Sequence, residues 1–302
     1  MEGILNILPD KLTPLVKQEL NKKSLQEIRL RLNQPIEFIF EDNITYTPYS
    51  VGKSDFSQMI NLLSEHSFYR LANELKEGFI TIHGGHRVGI AGEVITKNGK
   101  VHSIKHISSL NIRVARERIN VAEPLIPHLY KDQILNTLVI GPPQSGKTTY
   151  LRDIIRIIST GWRHVKAKKI ALIDERSEIA ASKNGIPQHN IGKRTDVMDA
   201  CPKAEGMMMM IRSMSPEVIV VDEIGSKEDV FAILEAIHAG VSIICSVHGH
   251  SLDELKNRPS LQKLFKYNVF ERFIILNRTV ESHHHFVILN EQENNLLKKR
   301  GV

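Results

Sequence analysis

Two stretches of this 302-residue chain carry residues that could act together on a phosphate. In "GPPQSGKTT", Gly141, Pro142, Pro143, Gln144, Ser145, Gly146, Lys147, Thr148 and Thr149 follow the P-loop spacing G-x-x-x-x-G-K-[ST]. Glycines let the backbone curl so that successive N–H groups face one anion, and a helix starting beside the lysine adds the positive end of its dipole. In such a cradle Lys147 neutralises the β and γ phosphates of ATP, Thr148 offers a hydroxyl to Mg2+, and Thr149 reaches the α phosphate. A glycine turn with a coincidental Lys-Thr is the plain alternative, but an apolar strand, "ILNTLVIG", enters the loop and "TTYLRDIIRIIST" leaves it as a helix. The second stretch, "EVIVVDEIG", is a hydrophobic strand ending on Asp222 and Glu223. An acid at that strand end can hold Mg2+ through water, and its neighbour can orient or deprotonate the attacking water. Metal contacts are therefore expected from Thr148 and Asp222, and water activation from Glu223. Structural decoration is the alternative for the second carboxylate.

Two more strand ends present chemistry-bearing residues. "IALIDERSEIA" supplies Asp174, Glu175 and Glu178, and "GVSIICSVHGHS" supplies His248 and His250. Ligands of open α/β sheets bind beyond the carboxyl ends of the strands, so both groups are expected near the same cleft. Glu175 and His248 thus join the candidate catalytic residues, His248 as a sensor of the γ phosphate. Which acid acts stays open, and all three could instead cap a helix over "SEIAA". His248 and His250, two apart on an extended chain, share a side and could begin a zinc site. Further ligands would have to come from His83 and His86 of "HGGH" or from His283 to His285, and a plain surface turn is the third reading.

The surrounding chain is of an ordinary soluble kind, with 41% hydrophobic residues and a formal net charge of +6. Its basic residues are scattered, which argues for solvated surface rather than an electrostatic tether. Cys201 and Cys245 form no disulfide framework, the N-terminus resembles no secretory signal, and no apolar run is long enough to span a bilayer. A cytoplasmic location follows, with any membrane association through a partner. Residues 1–120 read as a mixed α/β domain: helical spacing in "DKLTPLVKQEL", strand alternation in "LQEIRLRL", "PIEFIF" and "ITYTPY", a helical period over 57–78, then alternating runs with turns at Gly84-Gly85 and Asn98-Gly99. Pro124 and Pro127 mark a linker at 121–132. From 133 to 302, short apolar strands alternate with helical stretches, the pattern of a mostly parallel sheet covered by helices.

In order along the chain, the P-loop, "LIDERSEIA" and "SPEVIVVDEIGSKEDVFAILEAIHAGVSIICSVHGHS" resemble the secretion ATPases of type II and type IV systems. The run "RTDVMDACPKAEGMMMMIRSMSPEVIVVDEIG", with "LNIRVARE" upstream, is similar to the sporulation branch of that superfamily, and this match covers nearly the whole chain. The resemblance implies a RecA-like domain at 133–302 and a hexamer in which hydrolysis drives movement at a membrane channel or secretion complex between mother cell and forespore. It also implies nucleotide-reaching arginines, which here would be Arg113 and Arg116, with Arg212 standing before the Asp222 strand. The chain departs from the superfamily in carrying Asp222 where a glycine is usual and in lacking a tetracysteine module, so no structural zinc is implied. Competing functions are a nucleic-acid-linked motor, for which the 6% aromatic content offers little stacking surface, and a nucleotide-dependent scaffold. No nucleic-acid partner is expected. The methionines 207–210 cover every side of a helix, which suits adaptable packing, with a peptide-gripping surface as the alternative.

Overall fold

The computed structural model describes residues 1–22, 24–64, 78–97, 99–163, 165–278 and 284–297. Asn98, His283 and most of the expected helical stretch beyond Leu63 lie outside them, as do the side chains of His284 and His285. The described chain divides into two compact units, 1–116 with 181–188, and 117–180 with the remainder from 189.

In the first unit, helices α1 (Glu2–Leu5), α2 (Thr13–Leu20) and α3 (Lys53–Leu63) accompany strands β1 (Leu25–Arg31), β2 (Pro35–Phe40), β3 (Ile44–Ser50), β4 (Phe79–Ile82), β5 (His86–Lys97) and β6 (Lys100–Arg113). The strands form one sheet in the order β3-β2-β1-β6-β5-β4, and every neighbouring pair is antiparallel. Alternation explains the single core: Ile28 and Leu30 of β1, with Ile36 and Phe38 of β2, face Leu12 and Val16 and the α3 residues Phe56 and Met59. The "HGGH" turn connects β4 to β5, with Gly84 at φ 85° and Gly85 at φ 73°, values that side chains resist. His83 and the Gly84 N–H both meet the Gln188 amide oxygen at 3.2 Å, and His86 accepts the Ala115 N–H through Nδ1. These two histidines serve the turn and the end of β6. Among the described residues no group of three His, Cys, Asp or Glu side chains is placed to hold a metal ion.

The second unit contains α4 (Ile126–Leu129), β7 (Thr137–Gly141), α5 (Lys147–Thr160), β8 (Ile170–Asp174), β9 (Thr195–Asp199), α6 (Lys203–Met214), β10 (Val218–Val221), α7 (Lys227–His238), β11 (Ser242–His248), α8 (Leu252–Lys256), α9 (Gln262–Lys266), β12 (Arg272–Arg278) and β13 (His284–Asn290). Its sheet runs β13-β12-β7-β11-β10-β8-β9, parallel throughout except for the antiparallel β13 at the edge. Helices cover both faces, which is why the central strands read as continuous apolar runs. Successive strand residues alternate between two cores. Ile219, Val221, Ile243 and Cys245 pack with α6 and α7, while Val218, Val220 and Ile244 pack with α5. The α5 stripe Leu151, Ile154, Ile155 and Ile158 is fully or nearly fully buried, each side chain worth about 1.5–3 kcal/mol of transfer free energy. Met207 and Met210 belong to the other core, whereas Met209 and Met214 are exposed, so the methionine run is split between packing and surface.

Two parts of the chain differ from the sequence reading. Residues 121–132 are no free linker: Ala122, Leu125, Ile126 and Leu129 are buried in the α5-side core, and the buried Asp153 carboxylate accepts the Ala122 N–H at 2.8 Å. Of the prolines that suggested a break, Pro124 precedes the short helix α4 and Pro127 lies in its first turn. Residues 181–188, embedded in the sequence of the second unit, pack with the first. No helix among the described residues is long and apolar enough to cross a membrane.

Candidate active site

Strand register assembles the site. β7 and β11 are parallel neighbours with His248 opposite Gly141, so the histidine that ends one strand stands beside the start of the P-loop. β10 pairs with β11, and the turn after it is pinned because the Glu223 N–H donates to Ser246 Oγ at 3.0 Å and the Ile224 N–H to the Ser246 carbonyl at 2.9 Å. Lys147, Asp222, Glu223 and His248 therefore come to one edge of the sheet from three adjacent strands.

The loop has the curl its sequence requires. Gln144 and Gly146 adopt φ 62° and 91°, and a Cβ at Gly141 would lie 2.3 Å from Ser145 Oγ. Lys147 is buried and donates through Nζ to the carbonyls of Gly141 at 2.8 Å and Pro142 at 2.9 Å. Burial pulls its pKa down, against which the carboxylates of Glu223 and Asp222 act. Pro142, Pro143, Thr148 and Thr149 are at least partly open to solvent, whereas Ser145 Oγ is buried without a hydrogen-bond partner.

Asp222 is 3% exposed, and its Oδ1 has no hydrogen-bond partner. Burial, reinforced by Asp174, pushes its pKa up to about 7, with Lys203 opposing. A buried carboxylate oxygen left without a donor, near enough to Lys147 to act on its charge, suits a hydrated Mg2+, a hard cation that takes oxygen ligands and keeps several waters. The residues present thus fit the ion. Glu223 sits at φ 46°, a conformation a glutamate adopts only under constraint. Its Oε1 lies 2.8 Å from His248 Nε2 and its Oε2 2.5 Å from Arg176 Nη1, while Lys147 Nζ is 3.4 Å from His248 Nδ1. Four side chains form one polar chain, Lys147 to His248 to Glu223 to Arg176.

The remaining expected residues are placed differently. Asp174 is fully buried and accepts the N–H groups of Glu178, Ile179 and Ala180 at 2.8, 3.0 and 2.8 Å. Burial pushes its pKa up and the three donors pull it back. It caps a turn, and no helix forms over "SEIAA". Glu175 pairs with Lys203 at the start of α6. Arg212 donates back to the Met208 carbonyl of its own helix. In the first unit, Arg113 ends β6 with Nε 4.0 Å from Glu27, and Arg116 donates to the carbonyls of Leu25 and Lys22. His250 is exposed, and its N–H donates to Glu254 at the start of α8. Sequence reading missed Arg176, although it stands inside the quoted "DERSE"; the acids on either side drew the attention.

A buried brace lies behind the Asp174 turn. Arg152 of α5 donates to the carbonyls of Ile179 at 2.6 Å and Glu178 at 2.7 Å, and buried His189 places Nδ1 3.3 Å from Glu117. Burial, followed by the nearby Arg152 charge, lowers the His189 pKa from 6.5 to about 4. A histidine whose folded pKa is depressed gives stability that is present above the unfolded value and is lost as pH falls from 6.5 toward 4. Between pH 7.5 and 5 the expected loss is about 2 kcal/mol, and urea unfolding of the natural chain and of His189→Gln should show it only in the former.

The fold is shared with solved ATPase and motor structures. The structure aligns with the pilus retraction motor PilT with bound ADP at a TM-score of 0.64, covering 91% of this chain and 80% of that one at 16% identity. It aligns with the Legionella pneumophila ATPase DotB at a TM-score of 0.63, covering 94% and 81%, again at 16% identity. The profile of the family described as "Sporulation stage III, protein AA" matches residues 1–296, and the chain belongs to this family. Stage III sporulation protein AA of Bacillus subtilis (strain 168) is 50% identical over 280 residues, which is 92% of this chain and 91% of that protein.

Proposed function

We propose that this chain is a Mg2+-dependent ATP hydrolase of the secretion-motor class. It would act in the cytoplasm as a homo-hexamer energising a membrane channel or secretion complex between mother cell and forespore. The observation that carries the chemistry is the single polar chain from the P-loop lysine through His248 to Glu223, beside a buried Asp222 oxygen without a donor. The hexamer, the membrane partner and the compartment rest on the resemblance to secretion ATPases and on the sporulation relative.

The residues divide the work. Lys147 exchanges its two loop carbonyls for phosphate oxygens, and the open N–H groups at the start of α5 face the same anion. Thr148 and Asp222 hold Mg2+, which when bound supplies positive charge to the phosphates. Glu223 orients the water and takes its proton. His248, within reach of both Lys147 and Glu223, registers the γ phosphate. Arg113 and Arg116 keep the nucleotide-reaching role that the resemblance implies.

Mg2+-dependent hydrolysis measured against the protein's own concentration tests this reading, with Lys147→Ala as the blank. Specific activity should rise with concentration and fall to background in the variant. Activity that is readily measured but flat with concentration would leave an ATPase and remove the ring motor. Activity that survives Lys147→Ala would remove the site.

A further inference from the structure

Both oxygens of the candidate base are already engaged. Arg176 Nη1 is 2.5 Å from Glu223 Oε2, and His248 Nε2 is 2.8 Å from Oε1. An oxygen that accepts a guanidinium hydrogen bond is a weaker base. The pair is also easily broken. The Arg176 side chain is 58% exposed, and an ion pair so open to solvent is weakly held. Arg176 stands on the turn that Asp174 and Arg152 fix, so its backbone is anchored while its side chain reaches into solvent. An anchored backbone carrying an exposed cation beside the water-activating carboxylate is suited to choosing between two anions.

We propose that Arg176 is a latch on Glu223: paired with the carboxylate as seen here, it transfers to the terminal phosphate when a nucleoside triphosphate binds and leaves Glu223 to engage water. The proposal rests on the ATP-binding reading above. A triphosphate places its terminal phosphate on the Glu223 side of the P-loop lysine and carries more charge than one carboxylate, so it competes for the guanidinium. A diphosphate lacks that group and leaves the pair intact. Arg176 is thereby a positioning residue for Glu223 and, beside His248, a part of the chain that distinguishes the two nucleotides.

Binding alone tests this, using ADP and a non-hydrolysable ATP analogue on four proteins: the natural chain, Arg176→Ala, Glu223→Gln and the double variant. Arg176→Ala should weaken the analogue about tenfold while ADP changes by less than about twofold. Glu223→Gln should tighten the analogue, because there is no pair left to break, and the gain should be larger with Arg176 present than in the Arg176→Ala background. A static pair gives the opposite sign, since the arginine then screens Glu223 in both states and the gain is larger once it is gone. Equal weakening of both nucleotides by Arg176→Ala would likewise overturn the latch and leave nucleotide binding intact. If none of the four folded proteins binds either nucleotide, the ATP-binding reading falls and takes the latch with it.

Discussion

Glu223→Gln is expected to slow ATP hydrolysis by about 100- to 1,000-fold without weakening nucleotide binding. Glutamine keeps the size of the side chain and can still meet His248, and the backbone hydrogen bond from the Glu223 N–H to Ser246 does not involve the carboxylate. What it loses is the ability to accept a proton. The φ of 46° places the backbone of this position in the left-handed region, at a cost in local strain. Single-turnover hydrolysis with protein in excess isolates the chemical step, and equilibrium binding of ATP is read on the same samples. Turnover within tenfold of the natural chain would transfer the role of base to another acid. Glu175 and Glu178, on the turn after β8, would then be tested in turn.

The second large effect is on stability. Asp174→Ala should destabilise the protein by about 4 kcal/mol, since three backbone N–H groups lose their acceptor and the residues around them are buried. Asn at the same position retains one acceptor oxygen and should cost roughly half as much. Denaturant unfolding at neutral pH measures both. A loss of less than about 1 kcal/mol for the alanine variant would mean that water replaces the carboxylate and that the turn does not depend on it. The turn so held carries Glu175, Arg176 and Glu178, so activity and stability are expected to fall together in this variant, whereas Glu223→Gln separates them.

Much of this arrangement was legible in the sequence because it follows from local rules. The P-loop spacing, the doubly buried strands "IALID" and "EVIVV" and the acids at their ends each require only a short window. The placement of His248 also followed, since a strand-end residue next to the central strand of a parallel sheet has few other places to go. The contacts that escaped are those fixed by tertiary register. Arg176 meets Glu223 only because β8 and β10 are neighbours, and nothing in "DERSE" says which of its charged residues turns toward the loop. Asp174 lacked a helix to cap, yet its carboxylate found three donors in an irregular turn, a use that composition cannot distinguish from metal binding. The prolines at 124 and 127 read as a break because proline ends regular structure, but the apolar residues interleaved with them, Ala122, Leu125, Ile126 and Leu129, were the stronger signal.

The return of residues 181–188 to the first unit bears on how this protein could be divided or inherited. The chain passes between the units three times, after 116, after 180 and after 188, so neither unit is a contiguous gene segment. A fragment ending at 116 would lack the Gln188 side chain that fastens the His83 turn, and a fragment starting at 117 would carry an eight-residue loop with nothing to pack on. Recombination at a single junction therefore breaks both bodies at once. Exchange of the first unit between relatives requires residues 1–116 and 181–188 to be transplanted together.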